Sequence, residues 1–397
     1  MKIAMIVRKL NISGGVQRHA MALAREFISR GHDVTFYTFF FSPERCYPEL
    51  VKSFKVVSLD WKPNTAWVRF GFGLLQEYRA ARQLALLIDP RTGVLNPDHA
   101  TYRVAYYFKK LVRDVPSIWV MHDMPTKRFS QMRAQESPLQ SVPYIRRIFS
   151  WIADWYDIRR FIRVQNCIAV LDRRDKKLVE TFFGKEAIIV RNGIDTSYFP
   201  YRKRTPPVSR KTSFLMSGIF LPHRRFEDGI KAAATLRAEG FDVHTVIVGD
   251  YNYDKAYYQR LQMLIDSLGM KHAVTFRGRI SENDLIQAYH GNDILIFPNH
   301  LQSWGLAVFE AMACGMPVIV SKTAGASEVL THGENALLVN PKAPEEIVKQ
   351  VKFLVDHPDE YLRLSRNGRK FVEENLSWKK LADQMENIFK ELIKRGK

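Results

Sequence analysis

The sequence predicts an α/β protein of two Rossmann-like, doubly wound domains. Three observations carry that prediction. At 397 residues the chain is long enough for two domains, each with its own core. Short apolar runs that read as buried parallel strands alternate with helix-period segments, most regularly in the second half. The chain also opens on a β-loop-α-β unit: strand Lys2–Val7, loop Arg8–Gly15, helix Val16–Arg30 stopped by Gly31, and strand Asp33–Thr38.

In that first loop, Gly14 and Gly15 let backbone approach a ligand at the helix start, although such pairs are also ordinary turn formers. The dinucleotide fingerprint is absent, since no G-x-G-x-x-G occurs and the second strand ends in Phe36-Tyr37-Thr38 rather than an acid. From Cys46 to about Arg113 the pattern is less regular. Trp61–Gly73 is aromatic and glycine-containing, and Leu74–Ile88 is a plausible helix. Ile118–His122 reads as a strand, which puts His122 at a strand end, where open α/β sheets bind ligands. A structural or solvated histidine is the competing reading.

Tyr144–Val164 interleaves Ile145, Ile148, Phe149, Ile152, Trp155, Tyr156, Ile158 and Ile162 with Arg146, Arg147, Arg159, Arg160 and Arg163. It reads either as a long core helix with solvated arginines or as a basic, aromatic-rimmed membrane-surface patch. A strand at Cys167–Leu171 and a helix at Asp175–Phe183 follow. Arg191–Asp195 then reads as a turn, because Asn-Gly favours positive φ, and Arg202–Lys211 as a basic linker.

In the second half, strands at Phe214–Ser217, His244–Val248, Val274–Arg277 and Asp293–Phe297 alternate with helices at Phe226–Glu239, Ala256–Leu268 and Glu282–Tyr289. Gly218, Gly249 and Gly278 mark the strand ends where ligands bind. Arg224 and Arg225, just ahead of a helix, offer guanidinium groups to a diphosphate. A helix from Gly305 to Cys314 carries Glu310 among Leu306, Val308, Phe309, Met312 and Ala313. A carboxylate there is costly to desolvate without donors. Either a basic side chain pairs with it, or it accepts from ligand hydroxyls while the helix start near Ser303–Gly305 faces a phosphate. Gly315-Met316-Pro317 ends the helix, Pro317–Ser321 is a strand, and helices near Pro344–Asp356, Pro358–Asn375 and Ser377–Lys394 complete the chain.

Trp304-Gly305-Leu306, followed by Glu310-Ala311-Met312-Ala313-Cys314-Gly315-Met316-Pro317-Val318-Ile319, resembles the donor-binding signature of the family-4 retaining glycosyltransferases of GT-B architecture. Gly14-Gly15-Val16 and Asn192-Gly193-Ile194-Asp195 are similar to that family's glycine loop and domain junction. The resemblance implies two Rossmann-like domains facing across a cleft. Residues 1–197 would form an acceptor-binding domain and 198–375 a nucleotide-sugar-binding domain, with a helix over 376–397 crossing back. It implies transfer of a sugar from a nucleotide diphosphate sugar to a glycan or lipid-linked acceptor, in bacterial cell-surface polysaccharide or glycolipid synthesis, without metal or resident cofactor. Glu310 would hold the ribose, Arg224 and Arg225 the diphosphate, and His122 and Gln302 the sugar. Gly14, Gly15, Gly218, Gly249, Gly278, Ser303, Trp304, Gly305 and Leu306 would shape the donor site.

Two positions depart from the family pattern. Gln302 stands where its first glutamate would be, and Ile219 where an arginine would be. An amide still bonds a sugar hydroxyl, but it carries no charge and can also donate. A chain that binds without transferring therefore stays open, as does a sugar-nucleotide epimerase on the same fold.

The bulk numbers exclude several classes. No window approaches the roughly 18–20 apolar residues of a membrane span. Cys46, Cys167 and Cys314 lack any pairing or zinc spacing, which fits a reducing cytoplasm. The net charge of +19 is uneven: residues 1–185 carry 31 Lys+Arg against 16 Asp+Glu, or +15. That bias suggests an anionic partner, such as nucleic acid, a phosphate-bearing acceptor or the inner face of an acidic membrane, and no nucleic-acid-binding motif accompanies it.

Overall fold

The computed structural model describes residues 1–63, 73–126, 144–208, 210–301 and 304–395. Most of Trp61–Gly73, together with Gln302 and Ser303, lies outside the described residues. The chain divides into two units, Met1–Asn192 with Trp378–Lys397, and Gly193–Ser377. The division thus falls between residues 192 and 193, and the returning segment begins at Trp378.

In the first unit, strands β1 (Lys2–Leu10), β2 (Asp33–Phe41), β3 (Lys55–Ser58) and β4 (Val94–Pro97) form a parallel sheet in the order β3-β2-β1-β4. Strands β5 (Ile118–Met121), β6 (Cys167–Val170) and β7 (Ile188–Ile189) are parallel neighbours. Bridges Leu95–Ser117 and Asp98–Val120 carry β4 onto β5. β1 and β2 run past Val7 and Thr38 because Lys9 still pairs with Phe40 and Leu10 with Phe41, so Arg8 and Lys9 belong to the strand, not the loop. Helices α1 (Gly15–Ser29), α2 (Gly73–Leu87), α3 (Tyr102–Leu111), α4 (Tyr144–Asp157) and α5 (Arg173–Phe183) accompany the strands. The C-terminal helix Trp378–Arg395 packs on α1 through Phe389 against Phe27, with Arg30 donating to Asp383 and Glu386. β3, β4 and α3 fall in the stretch whose pattern the sequence left irregular.

The second unit is a six-stranded parallel sheet. Its strands are β8 (Lys211–Ser217), β9 (Asp242–Val248), β10 (Val274–Gly278), β11 (Ile294–Phe297), β12 (Val318–Ser321) and β13 (Leu337–Val339), in the order β10-β9-β8-β11-β12-β13. Its helices are α6 (Phe226–Ala238), α7 (Lys255–Ser267), α8 (Glu282–Gly291), α9 (Leu306–Ala313), α10 (Pro344–Asp356) and α11 (Pro358–Asn375). Every residue of β11 and β12 is buried, as expected for central strands covered on both faces. Side chains cap three helix starts: Asp172 accepts from the Asp175 amide, Asp254 from Tyr257 and Ser281 from Asp284.

Two further local readings of the sequence are corrected. Neither Asn192 nor Gly193 adopts positive φ, so the junction is not an Asn-Gly turn. Asn192 instead uses its side chain inward, 2.6 Å from His19 Nδ1, and the turn falls just beyond, where Asp195 accepts from Ser197 and Tyr198. The second concerns Arg204, expected in a solvated linker but buried. Its guanidinium donates to the carbonyls of Tyr289, Asn292, Cys314 and Gly315, gathering the C-terminal ends of α8 and α9. The three cysteines are free, and burial pushes Cys46 and Cys314 up to about 12 and Cys167 to about 11.

Candidate functional site

In the second unit the chain leaves β8 toward β9 and β10 on one side, and continues through β11, β12 and β13 on the other. The topological switch point therefore lies between β8 and β11, and open α/β sheets bind ligands in the crevice there, at the strands' carboxyl ends. Two loops border it, 218–225 after β8 and 298–305 after β11.

The first loop is built on close backbone approach. The Gly218 amide donates to Val248 and the Gly249 amide to Gly278, which links the ends of β8, β9 and β10. A Cβ on Gly249 would stand 1.8 Å from the Gly218 carbonyl oxygen, so no side chain fits. Arg224 folds back over this lip, its guanidinium carbon 3.5 Å from where a Gly218 Cβ would be. Asn299, almost fully buried on the second loop, clamps it. With its amide turned to suit its neighbours, Asn299 donates to the Arg224 carbonyl at 3.1 Å and accepts from Nη1 at 2.9 Å. The His300 amide adds a bond to the His223 carbonyl, 2.8 Å.

The structure separates the two arginines that the sequence grouped. Arg225 has φ +55°, and its guanidinium grips Asp228 through two bonds of 3.0 and 2.7 Å and Glu227 at 2.9 Å. It fastens the start of α6 instead of standing ready for a diphosphate. Arg224 is the guanidinium at the switch point.

Among its described residues, the second loop is conformationally strained. Leu301, Trp304 and Gly305 have φ of +51°, +30° and +93°, and left-handed backbone at non-glycine residues costs on the order of 1 kcal/mol each. Gly305 precedes the first residue of α9, Leu306, with a Cβ position only 2.9 Å from the Phe297 ring. The Trp304 ring is buried against Phe309, centroids 4.8 Å apart. Glu310 is buried one turn into α9 and accepts from the Tyr289 hydroxyl at 2.9 Å.

The first unit brings together a second group of predicted residues. Gly14 caps α1 and Gly15 opens it. His122 follows β5 directly and is buried edge-on to His19, ring centroids 4.7 Å apart. Burial, with help from His19 and His99, holds the His122 pKa well below its ordinary value. Burial likewise brings His19 down to about 4, opposed by its bond to Asn192. Neither Nε2 has a hydrogen-bond partner among the described residues. Two neutral imidazoles with buried, unsatisfied nitrogens are the kind of polar atoms that a ligand completes. The sequence reading missed His19, although a histidine on the apolar face of a helix was a signal in plain view.

A recess of about 470 Å³ also opens in this unit, lined by Arg8, Glu77, His99, Arg103, Asp154 and Asp157 among others. It lies at the carboxyl ends of β1 and β4, the first sheet's own switch point. Arg103 binds Asp157 through two bonds of 2.9 and 2.8 Å and Glu77 at 3.0 Å, while Arg8 reaches Glu77 at 2.5 Å. Nearby, burial raises the Asp98 carboxyl to about 7 despite donors from the Arg8 amide and Thr101. Sequence reading found none of these residues, because they gather from five separate elements.

Two family models match the chain, Glycosyltransferase Family 4 over residues 13–198 and Glycosyl transferases group 1 over 199–371. An uncharacterised glycosyltransferase of Methanocaldococcus jannaschii is 24% identical over 98% of this chain and 98% of its own length. The glycogen synthase of Mycobacterium tuberculosis is 23% identical over 95% of this chain and 91% of its own. Among solved structures, Anabaena HepE in complex with UDP and glucose matches with a TM-score of 0.74 at 16% identity, covering 98% of this chain and 99% of that one. That likeness fixes the architecture as GT-B. With both models matched end to end across residues 13–371, the chain belongs to the group 1, family 4 glycosyltransferases.

Proposed function

We propose that the protein transfers a hexosyl group from a nucleotide diphosphate sugar to a glycan or lipid-linked acceptor, with retention of anomeric configuration. The observation that carries this reading is the switch point of the second unit. A side-chain-free glycine lip and one clamped guanidinium stand there, and the helix that follows the second loop carries one buried carboxylate. The Gly218, Gly249 and Gly278 strand ends admit the nucleotide backbone closely. Glu310, preset by Tyr289, accepts from the ribose hydroxyls, and Arg224 neutralises the diphosphate as charge grows on it. Gln302 and His122 meet the sugar, and Ser303, Trp304 and Leu306 shape the donor pocket.

In the proposed step the bond from the anomeric carbon to the diphosphate oxygen breaks as the acceptor hydroxyl bonds that carbon on the same face. The hydroxyl proton passes to the departing phosphate oxygen. The nucleotide sugar is a co-substrate, and neither a metal nor a resident cofactor is called for. The acceptor binds in the first unit, where the recess at Arg8, Glu77 and Arg103 offers charges of both signs to a polyhydroxylated group. The setting proposed is bacterial surface polysaccharide or glycolipid synthesis, in the cytoplasm at the inner face of the membrane. Among the described residues no helix is long and apolar enough to cross a membrane.

A thermal-shift panel of UDP, GDP, dTDP, ADP and their sugars tests the donor site. UDP and UDP-sugars come first, since HepE was crystallised with UDP and glucose. Ligand at 100-fold over its Kd adds about 2.7 kcal/mol to stability. One nucleotide should raise the midpoint and Glu310→Ala should abolish both that rise and turnover. Turnover undiminished in Glu310→Ala would overturn the assignment. Silence across the panel would favour the second reading, a protein that has lost transfer, for which Gln302 and Ile219 are the specific support.

A further inference from the structure

Helix α4 is inside out. Ser150, Asp154 and Asp157, spaced three and four residues apart, form one face, and that face is the buried one. The opposite face carries Phe149, Trp151, Ile152, Trp155 and Tyr156, exposed by 68, 59, 52, 51 and 39%. The polar side is drawn inward because Asp157 receives the Arg103 guanidinium and the Tyr102 hydroxyl. The core-helix reading of Tyr144–Val164 is therefore overturned over residues 148–156, while Phe161 and Ile162 just beyond are buried as it expected.

Charge is sorted the same way. The only acids between residues 144 and 164 are Asp154 and Asp157, both buried, whereas Arg147, Arg159, Arg160 and Arg163 are exposed. Among the described side chains of that segment, every exposed charge is positive. The Arg159 guanidinium lies 4.7 Å from the centroid of Trp155, and Arg160 lies 5.6 Å from that of Tyr156. Arginines stacked on amphipathic aromatic rings suit a boundary that is apolar on one side and anionic on the other.

We propose that this face seats on an anionic lipid bilayer. The aromatic and isoleucine side chains of α4 enter the boundary between headgroups and acyl chains, and the four arginines pair with lipid phosphates. A water-exposed face this apolar has an unmet hydrophobic cost, and the surrounding charge selects the partner: the first 185 residues carry a +15 balance. A second copy of this chain would bring the same arginines against themselves. The proposal names the surface behind the membrane setting suggested above, and it stands apart from donor chemistry.

The test is co-sedimentation of the full chain with vesicles of phosphatidylcholine alone, and with about one-quarter phosphatidylglycerol. Binding should be confined to the anionic vesicles, weaken with salt, and blue-shift tryptophan emission. The double variant Trp151→Ser/Trp155→Ser should bind at least roughly tenfold more weakly while its thermal midpoint stays within a degree or two, since both side chains are exposed. Arg147→Gln/Arg159→Gln should lose the preference for anionic lipid. Equal binding by wild type and tryptophan variant, or no binding by either, overturns the proposal. So does a wild-type dimer in sedimentation velocity that the tryptophan variant makes monomeric. Turnover on a water-soluble acceptor is read in parallel. Transfer with no vesicle binding refutes the surface alone, and vesicle binding with no transfer refutes only the function.

Discussion

The two units share a parallel-sheet plan but handle polarity in opposite ways. In Gly193–Ser377, apolar strands β11 and β12 are sealed, and the buried Arg204 guanidinium is spent on backbone carbonyls. In Met1–Asn192, polar groups penetrate the interior in clusters: His19 with His122 and Asn192, and Arg103 with Glu77 and Asp157. One unit closes its sheet edge by backbone contact at Gly218, Gly249 and Gly278. The other buries a polar network at the cost of turning an apolar helix face outward. A polar interior thus dictates what the surface must show.

The largest expected effect lies at the closed sheet edge. Gly249→Ala places a Cβ 1.8 Å from the Gly218 carbonyl at φ +151°, so backbone must separate. Destabilisation of about 3 kcal/mol or more is expected by chemical denaturation, with loss of nucleotide response. A loss under 1 kcal/mol would show that the edge yields and would blur the contrast between the units.

The next effect belongs to the polar interior and depends on pH. His19 takes a proton near 6.5 in an unfolded chain but only near 4 in the fold. Acidification therefore loads the unfolded state first, so stability is present at neutral pH and lost between about 6.5 and 4. Between pH 7 and 5 the wild type should lose about 2 kcal/mol more than His19→Gln. Asp98, raised to about 7, pulls the opposite way over the same window, so the difference between the two proteins is the quantity to measure. Parallel curves would mean that His19 is not kept neutral.

The smallest effect is the most diagnostic of the inverted helix. Phe149→Ser should change stability by no more than about 0.5 kcal/mol, although phenylalanine truncation in a core costs about 3–5. A core-sized loss would return α4 to the ordinary pattern.

Legibility followed the same divide. The second unit was readable because strands buried on both faces are written as unbroken apolar runs, as in Ile294–Phe297 and Val318–Ser321. Its glycines stood at strand ends and its helix signature was contiguous. Arg225 was misjudged although its partners, Glu227 and Asp228, lie two and three residues on. The first unit resisted because its recess draws on Arg8, Glu77 and Arg103, 69 and 26 residues apart, and no local period records that meeting. Helix α4 was harder still. Periodicity identifies two faces but not which one turns inward, and Asp157 settles that through a partner 54 residues away. Arg204 was hidden by its neighbours, since a basic residue beside Pro206-Pro207 looks like tether.

That arginine decides how the chain can be cut. A fragment begun at Lys211 would hold all six strands of the second sheet and look whole on a topology diagram. It would lack the one side chain that joins residues 289, 292, 314 and 315, and two helix ends would be released into water. A fragment begun at Gly193 keeps it. The strand-free run before β8 is therefore part of the folding unit, a splint whose removal no diagram of strands and helices would reveal.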